Sequence, residues 1–142
     1  MKQLLTALLL VFVVNSFSQT DQKIYDIIHA VSAERIKNDV KTLVDFGTRN
    51  TFSDTISDIR GIGAARRWIK SEFESISKDC NNCLEVSYQK NFIKKGTNER
   101  IVNDVWVVNV LSIQRGTKYP NRYIIMSGDI DSRVSDPNNY TS

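Results

Sequence analysis

The sequence predicts an α/β domain in which N-terminal helices are followed by the first strands of a mixed central sheet. Three observations carry this: apolar residues at helical spacing up to Ile76, a switch to period two at Leu84, and a short unbroken apolar run at residues 123–126. Such a run is the pattern of a strand buried on both faces, and helices followed by a buried strand imply helix packed on sheet rather than an all-β sandwich.

The elements follow in order. Residues 1–3 form a short positive start, an apolar run continues to Val14, and Ser16 and Ser18 place small residues where a signal peptidase reads. Residues 1–18 are therefore expected to be a secretory signal peptide cleaved after Ser18, with the product secreted or periplasmic. The apolar run is short for a permanent span, so no stable membrane anchor is expected. Removing residues 1–18 leaves one domain, 19–142, of a size that can bury a modest core.

A first helix is predicted over 23–30, with Ile24, Ile27 and Ile28 on one side; it carries His29, the only histidine, which is a poor metal candidate alone. Ser32 reads as the N-cap of a second helix, with Ile36, Val40, Leu43 and Val44 helically spaced and Gly47 ending it. Residues 48–60 are rich in Thr, Ser and Asp without a period, which predicts a long loop of the kind that is packed or functional. Gly61 and Gly63 open a third helix whose stripe of Ile62, Ala65, Ile69, Phe73 and Ile76 is expected to be core. Arg66 stands where a third glycine would complete a dinucleotide fingerprint, and no strand precedes the motif; the glycines instead suit close packing of a helix start.

Cys80 and Cys83, in CNNC, admit three readings: half of a zinc site, a redox pair, or a local disulfide. The chain lacks a second cysteine pair and a helix ends rather than begins here, so a disulfide is favoured. Strand character starts at Leu84, Val86 and Tyr88, a turn falls at Gly96, and a second strand is expected over 101–113, antiparallel to the first. The formal charge of +3 falls to +2 without the leader, too weak to imply a nucleic-acid or anionic-membrane partner. Lys90, Lys94, Lys95 and Arg100 surround the hairpin turn, where a solvated tip accounts for them.

The predicted third strand ends in GDIDSR, with Asp129 and Asp131 one residue apart. Ligands of open α/β sheets gather at carboxyl ends of strands, and alternation points both carboxylates to one side. Two such charges need compensation, either from a divalent cation or from Arg133 and backbone amides.

GDIDSR after a hydrophobic strand resembles the Gly-His-x-Asp-Ser-Arg segment of the secreted co-catalytic di-zinc aminopeptidases, relatives of bacterial leucyl aminopeptidase and glutaminyl cyclase. LVDFGTRNTFSD and GIGAARRWIKSEFE resemble the helix, loop and helix before the sheet in that family, and NDVWVVNVLSIQRG resembles its hairpin. The resemblance implies a three-layer zinc-exopeptidase-like fold, two zinc ions as cofactors, and peptide substrates whose N-terminal residue is released by metal-activated water. It implies a catalytic supporting role for Asp131 and puts Asp129 at a metal-ligand position where the family has His. A carboxylate there shifts preference toward harder cations.

The family's other ligands lie further along its sequence. The chain is therefore expected to be the N-terminal portion of such a domain, inactive alone and lacking its C-terminal partner portion. Two alternatives stay open: a glutaminyl-cyclase-like acyltransferase of the same superfamily, and a catalytically dead secreted binding domain. Residues 139–141 match a glycosylation acceptor, a motif frequent by chance.

Overall fold

A computed structural model describes residues 21–132. The leader predicted at 1–18 and the candidate counter-charge Arg133 lie outside the described residues. The chain forms two compact units, Met1–Lys37 and Asn38–Ser142.

Helix α1 (Gln22–His29), in the first unit, starts at Asp21, whose carboxylate accepts the Lys23 N–H at 3.0 Å; the next helix begins in the first unit and ends in the second. Its apolar side, Ile24, Ile27 and Ile28, is exposed. Helix α2 (Ala33–Asp45) begins as predicted at Ser32, whose hydroxyl oxygen accepts the Arg35 N–H at 3.2 Å. Its end is also where the sequence placed it: Gly47 adopts φ +66°, the left-handed backbone that a residue without Cβ adopts freely.

The second unit is built on helix α3 (Gly61–Asp79) packed against an antiparallel hairpin of β1 (Leu84–Ile93) and β2 (Val105–Gln114). The register pairs Tyr88 with Val110, Lys90 with Val108 and Phe92 with Trp106, so these six share one face. Strand β2 starts later than the predicted 101 because residues 101–104 close the hairpin loop: Ile101 O accepts the Gly96 N–H, and the Asp104 carboxylate accepts the Lys95 N–H at 2.8 Å. Gly96 turns at φ +78°.

The start of α3 shows why its two glycines are needed. Arg60 offers no side-chain cap. The preceding loop caps the helix instead: Gly61 N–H donates to Phe46 O, Ile62 N–H to Ser53 Oγ and Gly63 N–H to Asp54 O, at 2.8–3.0 Å. A Cβ at Gly61 or Gly63 would collide with the backbone of Asp54 or Thr55. The far end of α3 is locked by buried Ser77, whose hydroxyl accepts from Leu84 N and donates to Leu84 O, both at 3.1 Å. Between them Cys80 and Cys83 form the expected disulfide, with Asn81 and Asn82 in left-handed backbone. So short a loop contributes at most about 2 kcal/mol.

The core is small. Ile62, Ala64, Ala65 and Val105 are buried, whereas Ile69 and Phe73 are half-buried and Ile76 is exposed, so only the N-terminal part of the predicted α3 stripe is core. The α/β character is present as three helices and a two-stranded sheet among the described residues. The third strand is not. Residues 123–126 pair with no described strand, and Tyr123, Ile124, Ile125 and Met126 are 79%, 95%, 87% and 93% exposed. An apolar run becomes a buried strand only when neighbours supply hydrogen bonds and cover both faces, and the hairpin supplies neither.

Candidate functional site

The loop that carries Asp129 and Asp131 is held by Arg49, in the segment just after α2. The Arg49 N–H donates to Ser132 Oγ at 2.7 Å, and Ser132 N–H donates back to Arg49 O at 3.2 Å. The Arg49 guanidinium reaches over the same junction, donating Nε–H to Ile130 O at 2.9 Å. Its Nη1 donates to the carbonyls of Leu43 and Gly47, which tie it to the last turn of α2. One side chain thus joins a helix end to residues 130–132, and it fixes the backbone on both sides of Asp131.

Asp129 and Asp131 line one cavity of about 700 Å³, together with Asn50, Thr51, Phe52, the hairpin-loop residues Glu99 to Val102, Val107 and Ser132. Both residues line the same cavity, although the strand whose alternation was expected to bring them there is absent among the described residues. Both are exposed. Asp131 acts through space on two arginines, Arg49 and Arg66, that the sequence did not single out for this purpose. Burial pushes the Arg49 guanidinium below its ordinary value and Asp131 partly restores it; the same holds for Arg66, where Tyr88 also helps.

A second cavity, about 840 Å³, opens beside the first and shares Thr51 and Phe52 with it. Its walls are the 51–55 loop, Gly63, Arg66 and Arg67 of α3, and Tyr88, Lys90, Trp106 and Val108 of the hairpin. Arg67 is occupied: it donates to the carbonyls of Thr55, Ile56 and Ser57 and pairs with Asp58 at 3.2 Å. Arg66 is not: its Nε is buried without a hydrogen-bond partner among the described residues.

Whether these residues fit zinc is a question of donor count. Zinc in proteins takes three or four protein donors in tetrahedral array. Asp129 and Asp131 offer two carboxylates, and no cluster of three His, Cys, Asp or Glu able to hold a metal forms among the described residues. The described residues do not fit a zinc ion by themselves.

Arg49 was legible only as part of a loop, since nothing in the spacing of GTRN announces a clamp on residues 81 and 83 positions away. Arg66 was read only as a missing glycine. The signal that could have drawn notice was two adjacent arginines on a helix whose apolar stripe is core, which puts one of them at the edge of burial.

Comparison with known proteins finds relatives named probable zinc metalloprotease. One from Pyrenophora tritici-repentis is 35% identical over 121 residues, covering 84% of this chain and 28% of the relative. Another, from Pyrenophora teres f. teres, is 39% identical over 122 residues, covering 86% and 25%. A third, from Pyricularia oryzae, is 39% identical over 110 residues, covering 78% and 22%. The chain spans about a quarter of the length of the curated relatives it matches. No family model matches it, and no solved structure does.

Proposed function

We propose that this chain belongs to a secreted zinc-dependent peptidase of the aminopeptidase type, to which it contributes Asp129, Asp131 and the frame that positions them. The observation that carries the reading is the pair of carboxylates on one cavity wall, clamped through Arg49. The similarity to proteins named as zinc metalloproteases supports the chemistry. Zinc in that role supplies a Lewis acid and a source of nucleophilic water. The remaining donors would come from sequence outside residues 21–132, and further strands would complete a three-layer domain around the hairpin. The residues described here have their own tasks: Arg49 and Ser132 fix the loop, Asp129 and Asp131 concentrate negative charge at the cavity mouth, and Phe52 and Val107 exclude water from its wall.

The test is an assay of the whole protein that carries this sequence against leucine p-nitroanilide. Hydrolysis should cease on treatment with a chelator and return with zinc, and Asp131→Asn should lower kcat by about 100-fold or more, a loss typical of removing a group that orients the chemistry. Hydrolysis unaffected by chelation, or an Asp131→Asn protein of parental kcat, would sink the reading. A second reading, a binding domain without catalysis, is favoured by the aspartate at position 129, where a zinc ligand of the resembled family is His. Absence of zinc from the purified whole protein, with peptide binding retained, would establish it.

A further inference from the structure

Arg66 is the one buried cation of the second unit whose head group has no use within the described residues. Its residue is only 8% exposed, and its Nε is buried with no hydrogen-bond partner. Its backbone carbonyl accepts from the Tyr88 hydroxyl at 3.5 Å, but no described side chain bonds or pairs with the guanidinium. A charged donor withdrawn from water without a partner is costly, so such a group is expected to meet an anion. Asp131 is close enough to be felt through space, yet it does not form that pair.

The cavity that Arg66 lines has the composition of a site for an organic acid. Its volume of about 840 Å³ lies in the range of small-ligand pockets. Phe52, Tyr88, Val105 and Trp106 supply apolar and aromatic wall; Lys90, whose Nζ lies 5.8 Å from the Tyr88 ring centroid, adds a second positive charge. Of the other charges on the cavity, Arg67 is engaged with Asp58 and three carbonyls, and the Asp104 carboxylate, which accepts the Lys95 N–H, remains a negative charge on the wall. What remains is the Arg66 Nε, buried without a partner among the described residues. The Nε–H and Nη–H edge of arginine matches the two oxygens of a carboxylate in a fork that a single lysine cannot reproduce.

We propose that this cavity binds the free C-terminal carboxylate of a short peptide on Arg66, with the peptide body against Phe52, Tyr88 and Trp106. The inference rests on the peptidase reading for its occupant, and it narrows that reading to a substrate class. The two cavities share Thr51 and Phe52, so a peptide anchored by its carboxylate at Arg66 extends toward Asp129 and Asp131. Only a peptide of a few residues places its scissile bond there, which selects short peptides over long chains.

Binding rather than turnover tests this, using the whole protein and the non-cleavable pair N-acetyl-Leu-Phe and N-acetyl-Leu-Phe amide in calorimetric titrations. The acid should bind at least about tenfold more tightly than the amide, the scale of a charge-assisted hydrogen-bond pair. Arg66→Gln should remove that preference, and Arg66→Lys should keep part of it, with circular dichroism reporting that both variants are folded. Equal affinity of acid and amide, no binding of either, or a preference that survives Arg66→Gln overturns the proposal. N-acetyl-Glu amide separates a side-chain carboxylate from a terminal one: affinity equal to that of N-acetyl-Leu-Phe overturns the terminal assignment. The two readings fail separately. An acid preference in a protein that hydrolyses no peptide keeps the carboxylate site and removes the peptidase, whereas chelator-sensitive hydrolysis without acid preference does the reverse.

Discussion

Arg49 does at one residue what the sequence pattern assigned to a strand. The reading of residues 123–131 relied on a sheet to hold Asp129 and Asp131, yet no described strand pairs with 123–126. Position 131 is instead fixed by hydrogen bonds from Arg49 to Ile130 and Ser132 and by the return bond from Ser132. Removing the side chain forfeits the guanidinium bonds to the carbonyls of Ile130, Leu43 and Gly47 while the backbone exchange with Ser132 survives. Arg49→Ala should therefore destabilise the second unit by about 2 kcal/mol, the scale of charged-donor hydrogen bonds that are partly solvated. Arg49→Lys should recover less than half of the loss, because a lysine cannot bridge two carbonyls on one side and Ile130 on the other. Urea unfolding checks the energy, and amide exchange at Ile130 and Ser132 checks the place: exchange should accelerate there first. An unchanged urea midpoint in Arg49→Ala would show that the clamp carries no stability.

At the scale of elements, legibility followed locality. The N-cap at Ser32, the C-terminal Gly47, the two-glycine start of α3, the CNNC disulfide and the hairpin were all readable, because each is decided by residues a few positions apart. The cap of α3 was not, since its acceptors Phe46, Ser53 and Asp54 come from a loop with no periodic signal, nor was Ser77, which looks like any polar residue in a helix. Both are long-range polar satisfactions that leave no mark on spacing. Asp54 gives this loop a pH dependence. Its carboxylate accepts the N–H groups of Ser57 and Ile56, each at 2.8 Å, and these bonds hold it below the ordinary carboxylate value, helped by Arg60 and Arg67 against the opposing effect of burial. A depressed folded-state value stabilises above the unfolded-state value of about 4, and that contribution is lost as pH falls through the lower folded-state value. Thermal unfolding from pH 7 down to about pH 2.5 should show the parent losing more stability below about pH 4 than Asp54→Asn, whose side chain cannot be protonated there. Parallel acid limbs for the two proteins would remove Asp54 from the account.

At the scale of the molecule, the described residues are short of cover. A two-stranded hairpin is marginal unless a helix packs on it, and here α3 packs one face while the buried apolar set among the described residues is Ile62, Ala64, Ala65 and Val105. Val40, Val44, Leu111, Ile113 and the run at 123–126 stay exposed. Exposure of four consecutive large apolar side chains is a different matter from scattered surface leucines, because a contiguous patch gains free energy by meeting another. The run pairs with no described strand, and the hairpin has no third strand among the described residues, so a second copy can satisfy it both by burial and by strand addition. The isolated chain should therefore associate as its concentration rises. Sedimentation velocity should show a concentration-dependent shift to larger species, and Ile124→Lys combined with Met126→Lys should move it back toward monomer by placing charge on the patch. The far-ultraviolet circular dichroism of the double variant should match the parent, since neither residue is buried in the second unit. Monomeric behaviour of the parent across the accessible range would mean that the run is covered within the chain itself. Association that persists unchanged in the double variant would move the sticky surface to the other exposed apolar group, Leu111 and Ile113 on the solvent-facing side of β2.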